Sequence, residues 1–205
     1  MWGGQNASSV CWLKLCDIAV KISSGGTPLK SHGEYYDGDI PWLRTQEVVF
    51  NEITTTDKTI TEEGLRNSSA KWIPKNCVIV AISGASAGRC AINKIELTTN
   101  QHCCNLEINP SIAMYKYVFY WLKDNYEKLK ALGQGARNDL NVGIISDFSI
   151  PIPSLEEQQR IVDILDRFDK LCNDLSEGLP AEIAARQKQY EYYRDKLLTF
   201  KEKKA

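Results

Sequence analysis

The chain has 205 residues, with 25 Lys+Arg, 26 Asp+Glu and a formal net charge of −1. This balance excludes a generally basic protein that wraps nucleic acid, although a local basic face remains compatible with it. Hydrophobic residues make up 43% of the chain and charged residues 25%, which is typical of a folded protein and not of a disordered one. The length predicts one large domain, or one domain with an appendage.

No segment predicts membrane insertion or secretion. No apolar run approaches about 18 residues, the length that a transmembrane helix requires. The polar residues 1–10 lack the basic and then apolar pattern of a signal peptide, and we interpret residues 1–11 as a disordered arm or a cloning junction. Seven cysteines, an odd number without a C-x-x-C pair, fit reduced thiols. We therefore expect a cytoplasmic protein.

Short strands and turns are predicted over residues 12–110. Residues 77–82 form a continuous apolar run that is typical of a buried strand, and residues 91–97 and 105–108 are weaker examples. Turn clusters occupy residues 25–28 and 36–39. Because helical patterns do not regularly separate the strands, the sequence predicts an α+β fold with a mixed sheet.

A helix is predicted over residues 111–131, where apolar residues recur at three- and four-residue steps. Ser111 is expected to cap its start and Gly133 to end it. A polar loop, residues 133–141, follows. Residues 148–153 are expected to be extended, since Pro151 and Pro153 disfavour a helix there.

Two helices are predicted after Pro153, over residues 154–203. Ser154 with Glu157 forms a capping-box pattern, and Gly178 and Pro180 mark the turn between the helices. Both helices carry heptad-like seams, so a coiled-coil-like arrangement is expected. Since each seam is short, the helices need each other, the preceding domain or another chain to bury it. The predicted interface residues are Ile161, Ile164, Phe168, Leu171, Leu175, Ile183, Tyr190, Tyr193 and Leu197.

No self-sufficient active site is evident from the sequence. His102, Cys103 and Cys104 are adjacent, and neighbouring side chains on a strand point to opposite faces, so we expect them to pack and not to bind a metal. The motif at 109–112, NPSI, lacks the second proline and the aromatic residue of the amino-methyltransferase motif. Neither glycine-rich segment has phosphate-loop spacing.

Polar side chains on turns are the remaining functional candidates. Arg and Lys are the usual partners of guanine edges, and Asn and Gln of adenine edges, although solvated loops use the same residue types. The candidates for DNA contact are Lys30, Arg44, Thr45, Gln46, Arg89, Gln101, Gln134, Arg137, Asn138 and Asn141.

Several segments, taken in order, support this interpretation. They are WLKLCDI at 12–18, GGTP at 25–28, GDIPWLRTQ at 38–46, TNQ at 99–101, the loop 133–141, IPIPSLEEQQRIV at 150–162 and QYEYYRDKLL at 189–198. In order and spacing, this set resembles the DNA-specificity subunit of type I restriction-modification systems over roughly residues 12–200.

The resemblance implies a target-recognition domain at 12–153 that reads one half of a split site in double-stranded DNA. It implies that the helical region 154–203 acts as a spacer and docks the methyltransferase (modification) subunit and the restriction subunit. The chain itself would be non-catalytic and would hold no cofactor. S-adenosylmethionine would bind the methyltransferase partner, and ATP and Mg²⁺ the restriction partner.

The sequence departs from the family in one respect. Members usually carry two recognition domains and two helical regions, whereas this chain has one of each. Three origins of this half-length form stay open: a natural half-subunit, a product of truncation and an engineered piece. We expect it to pair as a homodimer through its helices and to read an interrupted palindrome. Tyr192 lies off the seam and has two interpretations, helix packing and methyltransferase docking.

Two alternatives remain open from the sequence. One is an autonomous DNA-modifying enzyme, a nuclease or methyltransferase, in which Asp37, Asp39 and Glu47 could surround Mg²⁺, although carboxylates are also ordinary in turns. The other is a helical interaction module without DNA binding.

Overall fold

The computed structural model describes residues 10–135, 139–174 and 180–200, without the side chains of residues 171–174 and 180–183. The predicted arm therefore lies almost entirely outside the described residues. The strands are β1 Cys11–Lys14, β2 Ala19–Ser24, β3 Tyr36–Leu43, β4 Glu52–Ile53, β5 Thr59–Ile60, β6 Trp72–Ile73, β7 Val78–Ala81, β8 Cys90–Asn93, β9 Leu97–Thr99, β10 Cys103–Ile108 and β11 Ser149–Ile152. The helices are α1 Leu15–Ile18, α2 Glu62–Arg66, α3 Tyr115–Asp124, α4 Tyr126–Ala131, α5 Val142–Asp147, α6 Leu155–Asp174 and α7 Pro180–Leu198. Three short 3-10 turns complete the fold, η1 Gly33–Tyr35, η2 Thr45–Glu47 and η3 Gly84–Ser86.

The strands form three sheets, of which the two larger ones mix parallel and antiparallel pairs. The five-stranded sheet has the order β2-β10-β7-β8-β4, and the four-stranded sheet has the order β5-β3-β9-β6. β1 pairs with β11 in a separate antiparallel ribbon, which brings the start of the domain to its end. Parallel pairs, β3 with β9 and β4 with β8, occur beside antiparallel ones. The predicted α+β class with mixed sheets is confirmed.

Two apolar clusters lie on opposite sides of the five-stranded sheet. Every residue of β7 is buried, as the apolar run predicts, and neighbouring residues alternate between the clusters. Cys104 belongs to the cluster beneath α3, whereas Cys103 belongs to the other. The two thiols therefore point away from each other, as expected for neighbours on a strand.

The predicted helix over 111–131 is wrong at its start and is interrupted. It begins at Tyr115, because residues 109–113 form a turn in which the Asn109 carbonyl oxygen accepts from the backbone N–H groups of Ile112 and Ala113, both at 3.0 Å. The first turn of α3 is capped from a distance, since the Gln158 side-chain oxygen accepts from the Met114 N–H at 2.9 Å. Asn125 separates α3 from α4.

The C-terminal helices follow the prediction more closely. Ser154 caps α6 by accepting from the Glu157 N–H at 3.3 Å, and α7 begins at Pro180. Gly178 lies outside the described residues. α6 buries Ile161, Val162 and Leu165 in the cluster beneath α3. The helical pair therefore packs on the domain along α3, and we call this contact surface the helix junction.

Within the described residues, none of the helices is long and apolar enough to cross a membrane.

Candidate nucleic-acid interface

One cavity brings together three of the predicted DNA contacts, Lys30, Arg44 and Gln101. It has a volume of about 500 Å³ and lies where the end of β3 meets the turn between β9 and β10. Its lining consists of Thr27, Lys30, Tyr36, Asp37, Trp42, Arg44, Lys58, Asn100, Gln101 and His102. Cations, amides and aromatic rings therefore share one concave surface.

Close backbone contacts build the wall of this cavity. Gly25 and Gly26 are buried, and a Cβ on Gly25 would lie 1.9 Å from the Thr99 carbonyl oxygen. A Cβ on Gly26 would lie 2.4 Å from the Ala70 backbone nitrogen. The Trp42 indole N–H donates to the Gly26 carbonyl at 3.0 Å. The paired glycines are thus required by steric contact, because a side chain on Gly25 would push β9 away and one on Gly26 would push away residues 69–70.

On the aromatic side of the cavity, the Tyr36 hydroxyl is held in its protonated state. The Tyr36 hydroxyl donates to the Pro28 carbonyl at 2.5 Å, and burial raises the pKa of Tyr36 above its ordinary value. Its ring packs edge-on against Trp42, with ring centres 5.9 Å apart. The hydroxyl therefore stays a neutral donor at neutral pH.

Arg44 is positioned by two carboxylates. Its guanidinium lies 3.5 Å from both Glu47 and Asp57. The Glu47 carboxylate also accepts from the backbone N–H groups of Arg44 at 3.1 Å and Asp57 at 2.8 Å, which ties η2 to the segment before β5. When the Gln46 amide oxygen faces Arg44, it accepts from the guanidinium at 3.0 and 3.2 Å. Arg44 is therefore preorganised at the wall of the cavity.

A second group of loops lies next to the cavity. η3 lies beside η2, and the Gly84 N–H donates to the Asp139 side chain at 3.1 Å. Gln134 and Asp139 exchange both backbone hydrogen bonds, which closes the loop that contains the predicted contacts Arg137 and Asn138. Those two residues lie outside the described part of the chain.

The segment that contains Gly88 and Arg89 lies against α4. A Cβ on the preceding Gly88 would lie 3.2 Å from the Tyr126 ring and 3.5 Å from the Lys130 Cβ. The Lys130 ammonium lies 5.2 Å from the centre of the Tyr126 ring. Arg89, which follows η3 in the chain, is near enough to Lys130 for the two charges to interact. We call the surface formed by the cavity, η2, η3, Arg89 and Lys130 the loop face.

Four cations of the loop face form no ion pair with any residue in the described ranges. They are Lys30, Lys58, Arg89 and Lys130. Lys58 and Lys130 were missed by the sequence analysis. Lys58 reaches the cavity through the antiparallel pairing of β3 with β5, and no local sequence signal marks either residue.

The other predicted contacts have mixed surroundings. Thr45 and Gln46 lie on η2, and Gln134 is exposed at the loop that docks on η3. The Asn141 side-chain oxygen accepts from the Ile144 N–H at 2.9 Å and so caps α5. That oxygen is therefore engaged in the fold, while the contact of Asn141 with DNA stays a prediction.

The residues that could support an autonomous enzyme are used structurally or held apart. Glu47 is engaged by Arg44 and by two backbone N–H groups, and nowhere among the described residues do three or more His, Cys, Asp or Glu converge as metal ligands. Burial raises the pKa of the Cys77 and Cys104 thiols to about 12. These thiols are therefore protonated near neutral pH and are poor nucleophiles.

The predicted interface residues divide between the interior and the surface of the helical pair. Ile161 and Tyr190 are buried within this chain, and Ile164, Phe168 and Leu197 are half-buried. The Phe168 and Tyr193 rings stack with centres 5.4 Å apart, and Tyr193 remains exposed. Leu175 and the side chains of Leu171 and Ile183 lie outside the described set. Contact between two copies stays a prediction.

Comparison with known proteins identifies the family. The model of the type I restriction modification DNA specificity domain matches residues 13–185. The chain is 36% identical over 197 residues to the EcoR124I/EcoR124II specificity subunit of Escherichia coli, covering 92% of this chain and 48% of that protein. It is 33% identical over 181 residues to the MjaIX specificity subunit of Methanocaldococcus jannaschii, covering 83% of this chain and 41% of that protein. The chain thus spans about half the length of these relatives.

Solved structures share the fold. The HsdS subunit from Thermoanaerobacter tengcongensis matches with a TM-score of 0.65 at 18% identity, covering 96% of this chain and 46% of that one. A chain from a study of complex assembly in the type I R-M system matches with a TM-score of 0.67 at 20% identity, covering 96% and 47%. The chain therefore belongs to the type I restriction-modification DNA specificity family.

Proposed function

We propose that the loop face reads one half of a bipartite site in double-stranded DNA. The observation that carries this proposal is one concave surface on which Lys30 and Lys58, which have no described ion-pair partner, lie together with Arg44 and Gln101. Cations without protein partners are available to phosphates, whose neutralisation releases counterions and drives binding. The amides and Arg44 supply the donors and acceptors that base edges require.

The two kinds of contact have different consequences. Arg44 and Gln46 are assigned to base edges, because their mutual hydrogen bonds fix their direction. Lys30, Lys58, Arg89 and Lys130 are assigned to phosphates, since flexible or peripheral cations fix position on the duplex and carry no sequence information.

The test uses alanine at Arg44 and Gln46, with Arg160→Ala and Gln159→Ala as the control. The control pair is exposed on α6, which is not part of the loop face. Bound sequences are selected from a random duplex pool by the chain together with its methyltransferase subunit. Each loop-face variant is expected to lose about 1–3 kcal/mol of specific binding and to relax one base position, whereas the control retains the consensus. An unchanged consensus in the double variant Arg44→Ala/Gln46→Ala contradicts the assignment.

Docking of catalytic partners is the second part of the proposal. The helical region would dock the adenine methyltransferase subunit, which binds S-adenosylmethionine, and the restriction subunit, which uses ATP and Mg²⁺, while this chain holds no cofactor. Tyr192, which is 61% exposed on α7, supports a role at that surface, because exposed aromatic residues are frequent interface anchors. Unchanged assembly of the methyltransferase complex with Tyr192→Ala would remove Tyr192 from the dock.

Pairing with a second copy is the third part. Tyr192 and Tyr193 leave an exposed aromatic surface next to the half-buried Phe168. A two-fold pair would present two identical loop faces and would read an interrupted palindrome. Light scattering is expected to give twice the chain mass at micromolar concentration, and a strictly monomeric mass contradicts this part.

A further inference from the structure

The helix junction is unusually polar along one face of α3. Lys116 and Tyr120 both reach Asp166 of α6, at 2.6 Å and 2.7 Å. Lys123 lies 3.4 Å from Asp169 of the same helix. These residues follow helical spacing, so one stripe of α3 carries them all.

The same stripe also reaches α7. Asp124 lies 2.7 Å from the Arg194 guanidinium, and the side chains of this pair are only 18% and 23% exposed. The Arg194 guanidinium also lies over the Tyr190 ring, 5.8 Å from its centre. Both helices of the pair are therefore bound to α3 by charged or hydrogen-bonded contacts.

At the start of α6, the buried Gln158 amide adds to these polar contacts between the domain and the helical pair. The Gln158 side-chain oxygen accepts from the Met114 N–H, and its amide group donates to the carbonyls of Ile112 at 3.1 Å and Pro153 at 3.0 Å. Gln158 is fully buried. It therefore fixes the point at which α6 leaves the domain.

Directional contacts of this kind can fix the angle between two helices, which apolar packing alone does not. The apolar residues beneath α3 attract α6 without a strong preference for one angle, because the hydrophobic effect is non-directional. Hydrogen bonds weaken steeply when their angles change. Burial raises the pKa of Tyr120, which keeps its hydroxyl a donor to Asp166. A small rotation of α6 would break several of these contacts together.

We infer that the polar stripe of α3 is a positioning device that fixes the direction of the helical pair relative to the recognition domain, and thereby the number of base pairs between two half-sites. The link to half-sites rests on the proposed function and on pairing through the helices. Lys116, Tyr120, Lys123 and Asp124 act as positioning residues and need not touch DNA.

The required precision follows from the length of the helix. α6 has 20 residues, so it extends about 30 Å at about 1.5 Å per residue. Base pairs stack about 3.4 Å apart. A tilt of only about 7° at the helix junction would therefore move the far end of α6 by about one base-pair step. An unrestrained junction would accept more than one spacer length.

The test is a charge exchange across the junction. Asp124→Arg and Arg194→Asp each place like charges together, whereas the double variant restores an ion pair in the opposite sense. Tyr120→Phe removes one hydrogen bond and keeps the ring. It replaces the charge variants in the test if one of them fails to fold. Arg160→Gln is the control, because its ion pair with Glu157 lies within α6.

Two measurements separate the device from the proposed function. Spin labels on non-canonical residues at the exposed positions Lys75 and Lys188 report the distance between the domain and α7 by pulsed electron resonance. Selection from random duplexes, with the methyltransferase subunit present, reports the spacer length. For the wild type and the control we expect one narrow distance and a preference of at least about tenfold for one spacer. For the single variants we expect a broader distance and a preference below about threefold, with both restored in the double variant.

Each outcome decides one statement. Unchanged distances in the single variants and in Tyr120→Phe overturn the positioning device, whatever DNA is bound. Broadened distances with an unchanged single spacer overturn the link to half-site separation. If the wild-type complex selects no DNA while the distances broaden as expected, the device is supported and the proposed function fails.

Discussion

The cations of the loop face and those of the helix junction differ in their partners. On the loop face, Lys30 and Lys58 form no ion pair within the described ranges, and Arg44 is the exception, held by Glu47 and Asp57. At the junction, Lys116, Lys123 and Arg194 each meet an aspartate. The same residue types therefore have different surroundings in the two regions: we propose contact with a polyanion on the loop face, whereas the junction uses its cations to join helices.

Under the proposed function, this difference is how a chain of net charge −1 would present positive charge to DNA. Most carboxylates of the junction and of α6 are compensated locally, so their negative charge is not directed at the loop face. Net charge does not report how far the cations lie from the carboxylates or which of them form ion pairs. The surface on which cations lack carboxylate partners is the one that attracts phosphates.

The largest effect is expected from a substitution that disrupts the loop face and leaves the helix junction intact. Gly25→Ala places a Cβ against the Thr99 carbonyl, so we expect a loss of about 3 kcal/mol in the free energy of unfolding, measured with denaturant. Gly33→Ala is the control, because its Cβ meets no atom within 4 Å, and it should change stability by less than about 0.5 kcal/mol. Equal stability of the two variants would contradict the steric account of the paired glycines.

The next effect distinguishes a partly buried ion pair from an exposed one. Asp124→Ala leaves Arg194 without its partner on α3, and we expect a loss of about 2 kcal/mol in unfolding free energy. Asp147→Ala removes an exposed pair with Lys14 and should cost no more than about 0.5 kcal/mol. Denaturant unfolding of both variants checks the difference, and a larger loss for Asp147→Ala would refute the importance of the junction pair.

A smaller effect is expected in the rates at which the exposed and the buried thiols are alkylated. Cys11 and Cys16 are exposed, whereas Cys103 and Cys104 are buried on opposite faces of β10. At pH 8 we expect alkylation of the exposed pair first, since burial keeps the other thiols protonated and inaccessible. Peptide mapping by mass spectrometry after brief labelling checks the order. Early labelling of Cys103 or Cys104 in the native chain is the opposite result.

Local sequence signals predicted individual strands and helices better than they predicted tertiary contacts. The apolar run at 77–82 gave a buried strand, and Ser154 gave the start of α6 because a cap and its helix are neighbours in sequence. Ser111 failed as a cap, since the first turn of α3 is capped by Gln158, which lies 44 residues after Met114. Such a cap depends on packing and leaves no local pattern.

The candidate site shows the same limit. Arg44 and Gln101 were named from residue type and family resemblance, and the structure brings both to one cavity. Lys58 was missed because strand pairing carries it there, and the ion pairs of Arg44 with Glu47 and Asp57 depend on a loop that closes in three dimensions. The sequence therefore predicted chemistry, whereas strand pairing and loop closure determined which residues share a surface.

The salt dependence of DNA binding tests the central claim most directly. Lys30, Lys58, Arg89 and Lys130 are changed together to Gln, and Lys116 with Lys123 are changed to Gln as the comparison. Affinity of each complex with its methyltransferase subunit for its selected duplex is measured from 50 to 200 mM salt. The account predicts that the slope of log affinity against log salt falls in magnitude by about 3 to 4 for the loop-face variant and stays unchanged for the junction variant. Equal slopes for the wild type and the loop-face variant would contradict it.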